Sequence, residues 1–169
     1  MKKLIAIACI LALCLGLMAG CMEKVDDSVD TSAPVGVVLV YGETKIDVTV
    51  GQWEPKRTEV KTADVSLGTS KEYEFTGVTL KALMEIAGAS DCTQIIIRSS
   101  DGWEAVVEAA DALAYDIMIT DDYVGGKEIH ADAGGPFKLV FPATEHPELN
   151  DKYDAWAWQW YAAEVEFVK

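Results

Sequence analysis

Phe75-Thr76-Gly77-Val78-Thr79-Leu80-Lys81-Ala82-Leu83-Met84 is where the periodicity of this chain changes. Leu80, Leu83, Met84 and Ala87 stand at i, i+3, i+4 and i+7, the spacing of an apolar helical stripe, and Gly88 follows as a C-cap. Gly77 and Gly88 bracket this helix, positions where glycine accepts positive φ without the clash of a Cβ. Upstream the pattern is period two. Val37, Leu39 and Tyr41 face Ile46, Val48 and Val50 across Gly42-Glu43, which predicts a hairpin, and 57–67 reads as a further strand through Val60, Ala63 and Val65. Downstream, 93–99 is β-branched and apolar, Asp101-Gly102 marks a turn, and 103–107 returns as the second arm. A short helix over 109–114 precedes a strand at 115–120. Gly125-Gly126 and Gly134-Gly135-Pro136 break the chain, 137–141 is a strand stopped by Pro142, and 156–168 is expected to be extended.

The amino terminus carries a different kind of information. Met1-Lys2-Lys3, an apolar run over 4–18 and Ala19-Gly20-Cys21 have the charged start, short core and small-residue end of a secretory signal. The run is marginal for a membrane span, and the alternative is an uncleaved anchor helix. Leu17-Met18-Ala19-Gly20-Cys21 resembles the bacterial and archaeal lipobox, with Met18 where leucine is usual; that resemblance implies a lipid on Cys21 and removal of residues 1–20. Residues 21–34, with Glu23, Asp26, Asp27 and Asp30, then form an acidic tether. The expected location is the cell envelope, anchored to the membrane on its extracytoplasmic side.

Cleavage leaves 149 of 169 residues, enough for one domain over 35–169. With Lys2 and Lys3 removed, 12 basic residues face 28 acidic ones, a net charge of −16. Such a surface repels nucleic acid and anionic head groups. Cys9 and Cys14 leave with the signal and Cys21 is lipidated, so Cys92 is the sole remaining thiol and no intramolecular disulfide can form.

Four pieces in order carry a family resemblance: the run from Phe75 to Met84, Ile95-Ile96-Ile97, Asp101-Gly102-Trp103, and Gly126-Lys127 followed by Gly134-Gly135-Pro136-Phe137-Lys138-Leu139-Val140-Phe141-Pro142. Together they resemble the molybdopterin-binding domain of the sulfite oxidase family. The resemblance implies an α+β fold of mixed β-sheets with few short helices. It also implies a cofactor, because members that act at molybdenum hold it by a cysteine thiolate upstream of the segment matching Phe75-Thr76-Gly77. No cysteine lies between Val50 and Phe75. Soft thiolate ligation has no substitute there. Cys92, after the helix, is expected to be a small buried hydrophobe. Trp103 matches the enzymes' tyrosine but has only an N–H donor. Ala133 and Lys138 stand where the enzymes have histidine and arginine, and a lysine replaces a bidentate clamp by a point charge.

These departures lead to expectations of no catalytic residue, no metal ligand and no bound cofactor, with molybdopterin possible only through the resemblance. Trp103, Gly134, Gly135, Pro136 and Lys138 form a candidate cleft: its glycines admit close backbone approach and Lys138 adds positive charge, or else it is an ordinary turn with a solvated lysine. Other chemistry finds little footing. There is no G-x-S-x-G, P-loop or EF-hand run, and His130 and His146 lack zinc spacing. Asp121-Asp122 and Glu145, Glu148 and Asp151 are either calcium ligands or a solvated acidic face. If 156–161 is a strand, Trp156, Trp158 and Trp160 share one side, as a sugar-stacking face or as core. The expected function is therefore a lipid-anchored binding or accessory module for a small molecule or partner protein. The alternatives are a molybdopterin-dependent oxidoreductase or redox subunit, and a carbohydrate-binding surface lipoprotein.

Overall fold

Alternating apolar residues assemble into two five-stranded sheets. A computed structural model describes residues 36–123, 127–130 and 133–169. The signal, Cys21 and the tether lie outside the described residues, as do Gly125-Gly126.

Strands β1 (Gly36–Tyr41) and β2 (Thr44–Thr49) pair antiparallel as the expected hairpin. Val50 is not part of its second arm; it begins the short helix α1 (Val50–Trp53), where the Gln52 side chain accepts from the Thr49 N–H at 2.8 Å. Strand β3 (Arg57–Ala63) also ends sooner than its alternation suggests. Asp64 accepts from the Ser66 N–H at 3.2 Å and starts a 3-10 turn, and Gly68 at φ 63° closes it.

The stretch that changes period does so in three dimensions. Strand β4 (Glu72–Thr79) runs directly into helix α2 (Leu80–Ala87), whose N-cap Thr79 accepts from the Ala82 N–H at 3.1 Å. Gly88 caps it at φ 69°, as expected. Gly77 plays a different part. It sits inside β4, where a Cβ would lie 2.1 Å from the Ile119 carbonyl oxygen of strand β7 (Met118–Tyr123). Close approach between strands, not positive φ, requires this glycine.

The second hairpin is β5 (Gln94–Ser99) with β6 (Glu104–Glu108), followed by helix α3 (Ala109–Ala114). Strands β8 (Lys127–Glu128) and β9 (Lys138–Val140), helix α4 (Glu148–Lys152) and strand β10 (Ala162–Val168) complete the fold. One sheet has the order β2-β1-β10-β5-β6, antiparallel except where β1 and β10 run parallel. The other runs β3-β4-β7-β8, with β9 also on β7. The architecture is the expected α+β fold of mixed sheets and few short helices. Leu39, Trp53, Phe75, Leu83, Ile97, Phe141, Trp158 and Val165 are buried in its core, each contributing about 1.5–3 kcal/mol of apolar transfer.

One element departs outright from expectation. Residues 154–161 are turns and bends, and extended structure starts only at Ala162. Asp154 organises the turn: its carboxylate accepts from the Trp156 N–H at 3.0 Å and its carbonyl from the Ala157 N–H at 3.0 Å. Tyr161 then takes the left-handed conformation at φ 55°. The tryptophans consequently diverge: Trp156 is 74% exposed, Trp158 is 1% exposed and Trp160 is half-buried.

Replacing Gly77 by alanine forces a methyl into the β7 backbone and should cost about 1–3 kcal/mol or more, read as a lowered urea midpoint without loss of the folded baseline. An unchanged midpoint would show that the two strands are not packed this closely.

Candidate functional site

Two turns that the sheets bring together form the walls of a pocket. The first joins β5 to β6. Ser99 Oγ donates to Asp101 Oδ1, and the Trp103 N–H donates to Ser99 Oγ at 2.9 Å and to Asp101 Oδ1 at 3.3 Å. These bonds hold the Asp101 carboxyl below its ordinary pKa, Ser99 contributing most, so it is ionised at neutral pH. They also fix Trp103, which remains 55% exposed. The second turn is 154–161. Its Trp156 ring lies 6.0 Å from that of Trp103 at an interplanar angle of 37°.

Beneath these indoles lies a closed polar chain. Trp160 Nε1–H donates to Ser66 Oγ at 2.9 Å, and Ser66 Oγ donates to Asp64 Oδ1 at 2.6 Å. Asp64 Oδ2 accepts from Lys138 Nζ at 2.5 Å, with both side chains fully buried. Lys138 Nζ also donates to the Ala133 carbonyl at 3.3 Å and sits 5.1 Å from the centre of the Trp160 ring. Burial pulls the Lys138 ammonium below the usual lysine range, with Asp64 opposing that pull. Backbone bonds tie the same pieces together: the Tyr161 N–H donates to the Gly134 carbonyl at 2.9 Å, and the Leu139 N–H donates to the Gln159 carbonyl at 2.9 Å.

The cavity bounded by these groups has a volume of about 360 Å³ and is walled by Trp103, Trp156, Trp158, Trp160 and Tyr161, with Asp101, Ser66 and Gln159 also on its lining. That places it at the small end of ligand sites, which span about 300–1,000 Å³. Two of its lining side chains are deeply buried yet unpartnered at one atom each. Among the described residues, neither Trp158 Nε1–H nor Gln159 Oε1 has a hydrogen-bond partner. The Gln159 amide is oriented by its Nε2, which donates to the Trp160 carbonyl at 3.3 Å, and both unpartnered atoms are sealed from solvent.

Of the residues expected to form a cleft, Trp103 lines this pocket. Gly134 stands behind its wall: a Cβ there would meet the Trp160 ring at 2.6 Å. Gly135 is packed on the Ile129 carbonyl, 1.6 Å from where a Cβ would be, and Pro136 is exposed. Both glycines thus admit the chain's own atoms. Lys138 is neither solvated nor on the pocket lining; Asp64, which the sequence reading passed over, takes its charge. An Asp-x-Ser at a strand end was the available signal for Asp64.

The remaining candidates are dispersed. Cys92 is 8% exposed, absent from the pocket lining, and its thiol is pushed up by burial. Asp121 and Asp122 belong to β7 and pair with Arg57 at 2.9 and 3.7 Å, so a guanidinium occupies the place considered for calcium. Glu145, Glu148 and Asp151 are exposed, and the described residues contain no group of three or more side chains suited to a metal ion.

Residues 46–146 match the model of the oxidoreductase molybdopterin binding domain. Comparison with curated proteins gives no match. The matched range includes Asp64, Trp103 and Lys138 but stops short of the tryptophan turn at 154–161.

Asp64→Asn leaves the buried ammonium without its counter-charge and should destabilise the protein by about 3–5 kcal/mol in urea unfolding, whereas Asp64→Leu with Lys138→Met should recover most of that loss. Equal destabilisation by the single and double variants would refute a pairing penalty.

Proposed function

The chain belongs to the oxidoreductase molybdopterin binding domain family, and from that membership we propose that this copy is a binding or accessory module, not a molybdenum enzyme. One observation carries the reading: among the described residues the pocket presents an ionised carboxylate, Asp101, and no lysine or arginine lines it. A pterin phosphate is gripped by charge-assisted donors, best by arginine. The ammonium of Lys138, expected to supply that charge, is fully buried and engaged by Asp64. The metal fares no better. No cysteine occurs between Val50 and Phe75, and Cys92 is buried away from the pocket with its thiol held protonated. The residues present therefore do not fit molybdopterin, and no redox step is assigned to them.

The module works at the extracytoplasmic face of the cell envelope, held to the membrane by lipid on Cys21 and spaced from it by the acidic tether at 22–34. The signal-like start and the Leu17-Met18-Ala19-Gly20-Cys21 motif support this placement. Among the described residues no helix is long and apolar enough to cross a membrane. The surface charge disfavours nucleic acid as a partner.

Full-length protein purified in detergent from a host that makes molybdopterin should contain no stoichiometric molybdenum and release no fluorescent pterin on denaturation. Either one at stoichiometric level overturns the proposal. Cys21→Ser should retain residues 1–20, read by intact mass, and an unchanged mass and membrane fractionation would rule out lipidation at this cysteine.

A further inference from the structure

We infer that the tryptophan pocket binds a fully alkylated ammonium group, seated against the indoles of Trp103 and Trp156 and offset in charge by the Asp101 carboxylate. This names a ligand class for the binding module and rests on that reading. Two indoles in contact, 55% and 74% exposed, form an apolar patch that the described chain does not cover.

The two turns hold these rings ready. Trp103 is tied through its N–H to Ser99 and Asp101, and Trp156 through its N–H to Asp154. Their centroids stand 6.0 Å apart at 37°, so one point lies within about 6 Å of both, the reach of a cation over an indole face. Trp160 is less available, because Lys138 Nζ already sits 5.1 Å from its centre. Asp101 lines the same pocket and is ionised at neutral pH, and among the described residues no lysine or arginine lines the pocket to neutralise it. Over the whole chain 28 acidic residues outnumber 14 basic ones, a field that draws cations inward. The other polar side chains add little. Trp158 Nε1 and Gln159 Oε1 are sealed, and Ser66 Oγ is engaged by Trp160 and Asp64, so the side-chain surface that meets a ligand is rings and a carboxylate.

Other ligands use less of this surface. An anion meets the Asp101 charge with no lining cation to offset it among the described residues. A neutral ring can lie on the indoles but draws nothing from the carboxylate's charge. A primary ammonium brings three N–H donors, and a calcium ion needs about six or more oxygen ligands. Among the described residues a single lining carboxylate would have to answer either need. Alkyl groups on the nitrogen remove the donors and spread the charge over an apolar surface, which suits a wall of indoles.

The test titrates full-length protein in a non-ionic detergent with choline, and in parallel with butylammonium and with dimethylbutanol, the uncharged carbon isostere of choline, reading tryptophan fluorescence and heat. Choline should saturate with a Kd of about 1 mM or tighter, and both controls should bind about tenfold more weakly. Trp103→Ala and Trp156→Ala, changes at exposed side chains, should each weaken choline about tenfold while leaving the unfolding midpoint in place, and Asp101→Asn should weaken it similarly. Absence of choline binding overturns the proposal. So does either control binding as tightly as choline, or choline binding that survives both tryptophan substitutions. Glycerophosphocholine separates two sources of the group: tighter binding than choline marks a lipid headgroup and weaker binding a free solute, and both orders uphold the ligand class. Molybdenum content of the same preparation separates the two conclusions: a metal-free protein that ignores choline refutes the ligand class alone, and a metal-loaded one refutes the binding-module reading.

Discussion

The buried pair of Lys138 and Asp64 constrains everything around it. An ammonium and a carboxylate with no exposure are tolerable in a protein interior only while each has the other, since losing one leaves a bare charge in a poor solvent. Asp64 lies just past β3 and Lys138 opens β9, so the requirement fastens the end of one strand to the start of another 74 residues later. Ser66 extends the tie to Trp160, and Trp160 is seated on Gly134. The loop before β9, the turn after β3 and the approach to β10 therefore form one body. The pocket floor is built from that body.

The same arrangement accounts for the chemistry of the pocket. A lysine beside a glycine-rich loop is a natural anion site when its charge reaches solvent, and here it does not. With the cation engaged inside, the cavity above retains indole faces and an ionised Asp101. The proposed lack of cofactor binding has this electrostatic origin. The matched family range ends at residue 146, before the tryptophan turn, so the wall that gives the pocket its aromatic character lies beyond the part most like other members.

Periodicity and capping made most elements legible. The hairpin of β1 and β2, helix α2 with Gly88, the Asp101-Gly102 turn and helix α3 all follow from patterns that act over a few residues. The errors share one cause. Alternation over Trp156, Trp158 and Trp160 matched a strand, yet Asp154 captured the backbone N–H of Trp156 and Tyr161 turned the chain at positive φ. Gly77 lay where a helix boundary explains a glycine, while the actual demand came from the carbonyl of Ile119, 42 positions away. Lys138 carried the ordinary expectation that lysine is wet. Its partner is too distant along the chain for any local pattern to reveal.

The sequence by itself determined most strands and helices through their periodicity and caps, the α+β fold of mixed sheets through its family resemblance, and the lack of any cysteine between Val50 and Phe75. Only the tertiary structure decided that Lys138 is sealed, that the three C-terminal tryptophans part ways, and that Trp103 meets Trp156 across a pocket. The physical reason is range. Strand and helix patterns are written in neighbours along the chain, whereas an ion pair, a glycine contact and a cavity depend on residues that only folding brings together.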